Sequence, residues 1–174
     1  KYSFFNCNCL REVFIPESIE IIDKGAFNGC SKLEKIKLPV NLKKIGELAF
    51  MGCSSLRKIN LPDGLQKILN CAFDRCISLE ELVIPNTVVT IDFCSFRCCY
   101  ALKNVQFPSN FTSISNWLFY DCRKIESINI PSSVNSIGIS AFDGCNSLKQ
   151  ISLLSNSNLK KIPKSLFERC SSLV

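Results

Sequence analysis

Apolar and polar positions alternate along this chain in an order that returns every 23 residues. The order is clearest in Leu56-Arg-Lys-Ile59-Asn-Leu61-Pro62-Asp-Gly-Leu65-Gln-Lys-Ile68. Leu56-x-x-Ile59-x-Leu61 alternates near its end, as a strand with one buried face does. Pro62 then stops the strand, because it lacks the N–H that a further ladder bond needs. Leu65-x-x-Ile68 predicts a second extended segment on the return side, and Ala72-Phe73 turns the chain into the next coil. The corner phenylalanine recurs at Phe4, Phe27, Phe50, Phe73, Phe96, Phe119, Phe142 and Phe167. A cysteine follows three residues after each one, at Cys7, Cys30, Cys53, Cys76, Cys99, Cys122, Cys145 and Cys170. Proline keeps the same register at Pro16, Pro39, Pro62, Pro85, Pro108 and Pro131.

One such coil is too short to bury its own apolar face, so the period predicts a solenoid in which neighbouring coils bury each other. Ile36, Ile59, Leu82, Val105, Ile128 and Ile151 should form one column at a spacing of about 4.8 Å. The expected architecture is a stack of right-handed parallel β coils joined in one long sheet. Short 3-10 turns are expected near Ala-Phe, with little α-helix, since 23 residues leave no room for a helix on the return leg. Residues 1–174 read as a single domain of about seven repeats and, starting and stopping inside a repeat, as a fragment of a longer array. Two units depart from the pattern. The unit from Phe96 carries Phe107, Phe111 and Trp117-Leu118 in place of smaller residues, which predicts a locally widened slab with Trp117 partly buried at the corner. The unit from Phe142 has Leu153-Leu154 in place of Leu-Pro and two extra residues within Ser155–Asn158, expected to bulge as a polar loop.

The stretch Phe27-Asn-Gly-Cys30-Ser-Lys-Leu33-Glu-Lys-Ile36-Lys-Leu38-Pro39-Val-Asn-Leu42-Lys-Lys-Ile45-Gly46-Glu-Leu-Ala49-Phe50 resembles the BspA-like, or treponemal-type, leucine-rich repeat. The resemblance runs from Phe4 to the C-terminus. It implies surface-exposed or secreted proteins, often adhesins that bind extracellular-matrix proteins or other cells. The repeat signals the scaffold far more sharply than the function, since repeat arrays keep their frame and vary their surface.

Composition narrows the chemistry. There is no histidine, which removes the commonest general base and the commonest metal ligand, and with it Cys–His and Ser–His arrangements. No Gly-rich phosphate loop appears either, so no catalytic residues and no cofactor are assigned. The formal net charge of +6 is spread along the chain and reads as a solvated surface rather than a nucleic-acid footprint. No run of about 18 apolar residues is present, so no direct membrane insertion is expected. The single sequon, Asn110-Phe111-Thr112, has a core-facing Phe111 at its centre.

Of the twelve cysteines, eight form the ladder and read as free thiols, because stacked equivalents point their Cβ vectors the same way and a disulfide needs them to converge. Cys71 and Cys94 share a column. Cys94, Cys98 and Cys99 supply one C-x3-C pair but no second, so no metal is assigned. Cys98 replaces a corner glycine and is the residue expected to be exposed and oxidisable.

A solenoid binds through the surface its strands build. The outward slots flanking the buried column are Glu12 and Phe14, Lys35 and Lys37, Lys58 and Asn60, Glu81 and Val83, Asn104 and Gln106, Ser127 and Asn129, then Gln150 and Ser152. Phe14, Lys35, Lys37, Lys58, Asn60, Glu81, Val83, Asn104, Gln106 and Asn129 are the candidate partner-binding residues, although Phe14 also suits contact with a neighbouring coil. The face runs from aromatic to basic to amide-rich, which suits a protein partner, glycoprotein or matrix component included, better than a nucleic acid. The resulting expectation is a non-catalytic recognition module, adhesin-like and at the cell surface or secreted, either monomeric or stacked end to end. An intracellular, cytoplasmic interaction scaffold is the alternative, favoured by the unpaired thiols.

Overall fold

The computed structural model describes residues 1–153 and 159–174. The expected Ser155–Asn158 loop therefore lies outside the described residues, apart from its neighbours. Among the described residues there are twelve short strands: β1 (Glu12–Phe14), β2 (Ile21–Ile22), β3 (Lys35–Lys37), β4 (Lys44–Ile45), β5 (Lys67–Ile68), β6 (Glu81–Val83), β7 (Thr90–Ile91), β8 (Asn104–Gln106), β9 (Ser113–Ile114), β10 (Ser127–Ile130), β11 (Ser136–Ile137) and β12 (Gln150–Leu153). All pairing is parallel and in a register of 23, for example Glu12↔Lys35 and Ile45↔Ile68. Among the described residues there is no helix.

The pairs fall into two rows on opposite legs of each coil. The rear row holds β2-β4-β5-β7 as one four-stranded sheet and β9-β11 as a pair. The front row is three separate pairs, β1-β3, β6-β8 and β10-β12. The single long sheet that the period predicts is thus interrupted. One interruption fits the bulky unit from Phe96. Phe107 stacks on Phe111 at 5.7 Å and meets Phe119 edge-on at 5.8 Å, and β8, just before Phe107, does not pair with β10. These rings stand where neighbouring units hold aliphatics, and the rear row breaks at the same unit, between β7 and β9.

The corners are the most regular part. Phe4, Phe27, Phe50, Phe73, Phe96, Phe119, Phe142 and Phe167 form one stack, with centroids 5.1–5.8 Å apart and planes within 12° of parallel. Aromatic pairs of this kind add about 0.5–1.5 kcal/mol each beyond the area they bury. Hydrogen bonding at the corner alternates. Ala49, Met51 and Cys53 donate three residues back within the coil, to Gly46, Leu48 and Phe50. Leu48, Phe50 and Gly52 donate forward to Asn70, Ala72 and Asp74 of the next coil. The i→i+3 turns expected near Ala-Phe are present, but only every second N–H makes one, and the others form a third inter-coil ladder.

That alternation needs two residues per coil with positive φ. One column is Tyr2, Gly25, Leu48, Cys71, Cys94, Trp117, Ser140 and Ser165, and the other is Asn6, Gly29, Gly52, Arg75, Cys98, Asp121, Gly144 and Arg169, all between 51° and 78°. Only four of the sixteen are glycine, so twelve side chains are held in a conformation that costs roughly 1–2 kcal/mol per non-glycine residue. The stacked corner bonds hold them there.

Candidate functional site

With no catalytic constellation expected, the surface of the stack and the cysteine columns are the places where chemistry or recognition can reside. The ladder cysteines do more than fill space. Cys53, Cys76, Cys99, Cys122 and Cys145 each donate their thiol to the carbonyl of the phenylalanine one coil earlier, at Sγ···O distances of 3.1–3.4 Å. Each of those carbonyls also accepts the N–H of its own coil's cysteine three residues on, as Phe50 does from Cys53. The column is a chain of weak bonds stitching coil to coil. Burial pushes the thiols of Cys53, Cys76, Cys122 and Cys145 well up, which keeps them protonated and unreactive.

All twelve cysteines are free in the structure. Cys98 does not stand out as the reactive one. It is half-buried, and desolvation raises its thiol against a smaller opposing hydrogen bond from Tyr100. Cys94 is buried, and desolvation pushes it up to about 11. The exposed thiols are Cys7 and Cys9. Among the described residues no three His, Cys, Asp or Glu side chains converge on a common point where a metal would sit.

A second corner network is ionic. Asp74 is fully buried and takes both forks of Arg97, Nε at 3.0 Å and Nη2 at 2.8 Å. About two coils on, Asp121 accepts Arg123 at 2.8 Å, and three coils on from Asp74, Asp143 accepts Arg169 Nε at 2.8 Å. Arg123 and Arg169 also lie over Tyr100 and Tyr120, at 4.3 and 5.1 Å from the ring centroids. These groups satisfy one another and present no open chemistry. Trp117 sits on this side, 40% exposed, as the side chain of one of the positive-φ positions.

The front row is where the sequence placed a partner. Every one of the ten proposed residues is solvent-exposed there, Phe14 at 72% and Val83 at 61%. Registry brings some of them side by side: Phe14 opposite Lys37, Glu81 opposite Asn104, Val83 opposite Gln106. Lys58 and Asn60 lie on the one front leg that forms no strand among the described residues, between β3 and β6. Lys37 is tied to Glu17 at 3.2 Å, whereas no carboxylate lies within 4 Å of Lys35 or Lys58 among the described residues. Beside that strandless leg lies an opening of about 630 Å3, lined by Glu34, Lys35, Ile36, Ser55, Arg57, Lys58, Asn60 and Ser78. Arg57 was not among the residues the sequence pointed to. It sits one place outside the strand slots, and nothing in the repeat marks it.

Comparison with known proteins agrees with this architecture. A family model described as the BspA type leucine rich repeat region matches in six copies, over residues 1–92 and 66–174. Among solved structures, the leucine-rich repeat protein of T. pallidum is 35% identical with a TM-score of 0.79, over 85% of this chain and 69% of that one. A leucine-rich repeat protein from Bacteroides ovatus is 30% identical with a TM-score of 0.76, over 99% of this chain and 56% of that one. A leucine rich cell surface protein from Faecalibacterium prausnitzii is 26% identical with a TM-score of 0.65, over 99% and 55%. The chain therefore spans little more than half the length of the latter two. No curated protein sequence matches it.

Proposed function

Because this chain belongs to the BspA type leucine-rich repeat family, we propose that it is a non-catalytic module that binds a protein partner across its front row. The observation that carries this reading is the contrast between columns. Behind the front legs each coil buries the same residue types, while the exposed positions differ from coil to coil and leave Phe14 and Val83 uncovered. Variable exposed positions on a constant buried frame are how a solenoid carries recognition. An adhesin-like role at the cell surface, toward matrix or other cell-surface proteins, is the finer form of the proposal. Its cell-surface part is supported by the similarity to the leucine rich cell surface protein of Faecalibacterium prausnitzii.

The test pairs a binding screen against immobilised extracellular-matrix proteins with front-row variants. Phe14→Ala with Val83→Ser should weaken the best hit about tenfold or more if those side chains are anchors. Loss of affinity on rear-row changes instead, with the front-row double variant unaffected, would refute the assignment of the face. Protease shaving of intact cells that make the full-length protein tests the location: a protected chain speaks against the cell-surface form and for an internal scaffold.

A further inference from the structure

The strandless leg Arg57–Leu61 is the exception in the front row. In its neighbours, Glu34 and Lys35 donate to Arg11, and Lys103 donates to Glu80. Along residues 57–61 the only backbone bond is Glu80 N–H to Arg57 carbonyl at 3.0 Å. No N–H from Arg57 to Leu61 donates to any group among the described residues. Arg57, Lys58 and Asn60 of this leg border the 630 Å3 opening, whose size falls within the roughly 300–1,000 Å3 of ligand sites. Its charged rim is Lys35, Arg57 and Lys58 with Glu34, which is engaged by Arg11. Among the described residues none of the three cations has a carboxylate within 4 Å.

We propose that this opening takes an acidic, extended segment of a partner protein. Its carboxylates meet Lys35, Arg57 and Lys58 across the opening. The three cations select for carboxylates, and an opening that spans neighbouring coils suits a segment of extended chain better than a compact ligand. A nucleic acid is the poorer occupant. The basic cluster is two coils long and is followed by Glu80 and Glu81, whereas a phosphate backbone needs a longer positive track. The inference rests on the front row being the binding face.

The probe is a labelled, end-capped twelve-residue peptide of alternating Glu and Ser, followed by fluorescence anisotropy, with a Gln/Ser peptide of equal length as control. The wild-type chain should bind the Glu peptide and not the Gln peptide. The triple variant Lys35→Glu, Arg57→Glu, Lys58→Glu, checked by circular dichroism for an unchanged fold, should lose at least about tenfold. The rear-row variant Lys44→Glu, Lys67→Glu carries a comparable change in charge sign and should stay within about twofold. Amide exchange at residues 57–61 should slow on adding the Glu peptide. No binding of that peptide, equal losses in the two variants, unchanged exchange at 57–61, or tighter binding of a twelve-nucleotide single strand would each overturn the proposal. A matrix partner that is lost with Phe14→Ala and Val83→Ser but kept by the triple variant ends this inference and leaves the front-row reading standing.

Discussion

The Phe–Cys corner and the front row are made by the same coils, yet they keep the repeat to different degrees. At the corner each coil adds a ring to one stack, a thiol bond to the phenylalanine carbonyl before it, and forward N–H bonds to the coil after it. On the front row the strands pair two by two, one leg pairs hardly at all, and the exposed side chains run from Phe14 through lysines to amides. The corner is buried and every coil meets its copies, so a change there disturbs three coils at once. The front positions meet solvent, so they vary at little cost to the fold. Stability and recognition are therefore separable in this molecule, and the following expectations are ordered by how hard they press on that separation.

Phe73→Ala removes a fully buried ring from the middle of the stack and should cost about 3–5 kcal/mol, read as a fall in urea midpoint. If it costs less than a front-row substitution, the comparison fails. Arg97→Ala leaves the buried Asp74 carboxylate without its partner and should cost about 2–3 kcal/mol, discounted because Arg97 is itself about one-third exposed. Arg97→Lys should recover only part of this, since an ammonium cannot reproduce the two-pronged contact.

The ladder thiols give the corner a pH signature. Burial raises the pKa of Cys53, Cys76, Cys122 and Cys145, so the protonated thiol is the native form. Their contribution is complete below the unfolded thiol pKa of about 8.5 and is lost as pH rises above it toward the raised folded values. Stability should fall above about pH 9 with a slope of up to about 1.4 kcal/mol per pH unit per buried thiol. Cys76→Ala should lower stability at neutral pH yet make that slope shallower. An unchanged slope would remove this column from the account. Smaller still, Arg75→Gly frees an exposed positive-φ residue from its backbone strain and should raise stability by about 1 kcal/mol, measured as a higher Tm. The smallest effect expected is Lys35→Ala with Lys58→Ala, within about 0.5 kcal/mol of wild type in stability while binding weakens. A large loss of stability there would show that the front row also holds the fold.

Much of this was open to reading from the chain alone because a 23-residue period forces equivalent residues into columns. The corner phenylalanines, the free thiols and the buried Leu–Ile pairs such as Leu42 and Ile45 all followed from it. Glycines at 29, 52 and 144 hinted at a positive-φ column, but Arg75, Cys98, Asp121 and Arg169 hid it, since none of them marks that conformation by itself. The ten exposed front positions were legible from strand alternation. Arg57 was not, because its prominence comes from a leg that leaves the ladder.

The sequence by itself determined the coil length, what each column contains and which side of each leg faces inward, since these need only the period and the alternation of apolar residues. The tertiary structure alone decided which neighbouring legs pair, where the front row opens, and which carbonyl each thiol finds. Those outcomes depend on how the side chains of one coil pack against those of the next, and no single coil carries that information.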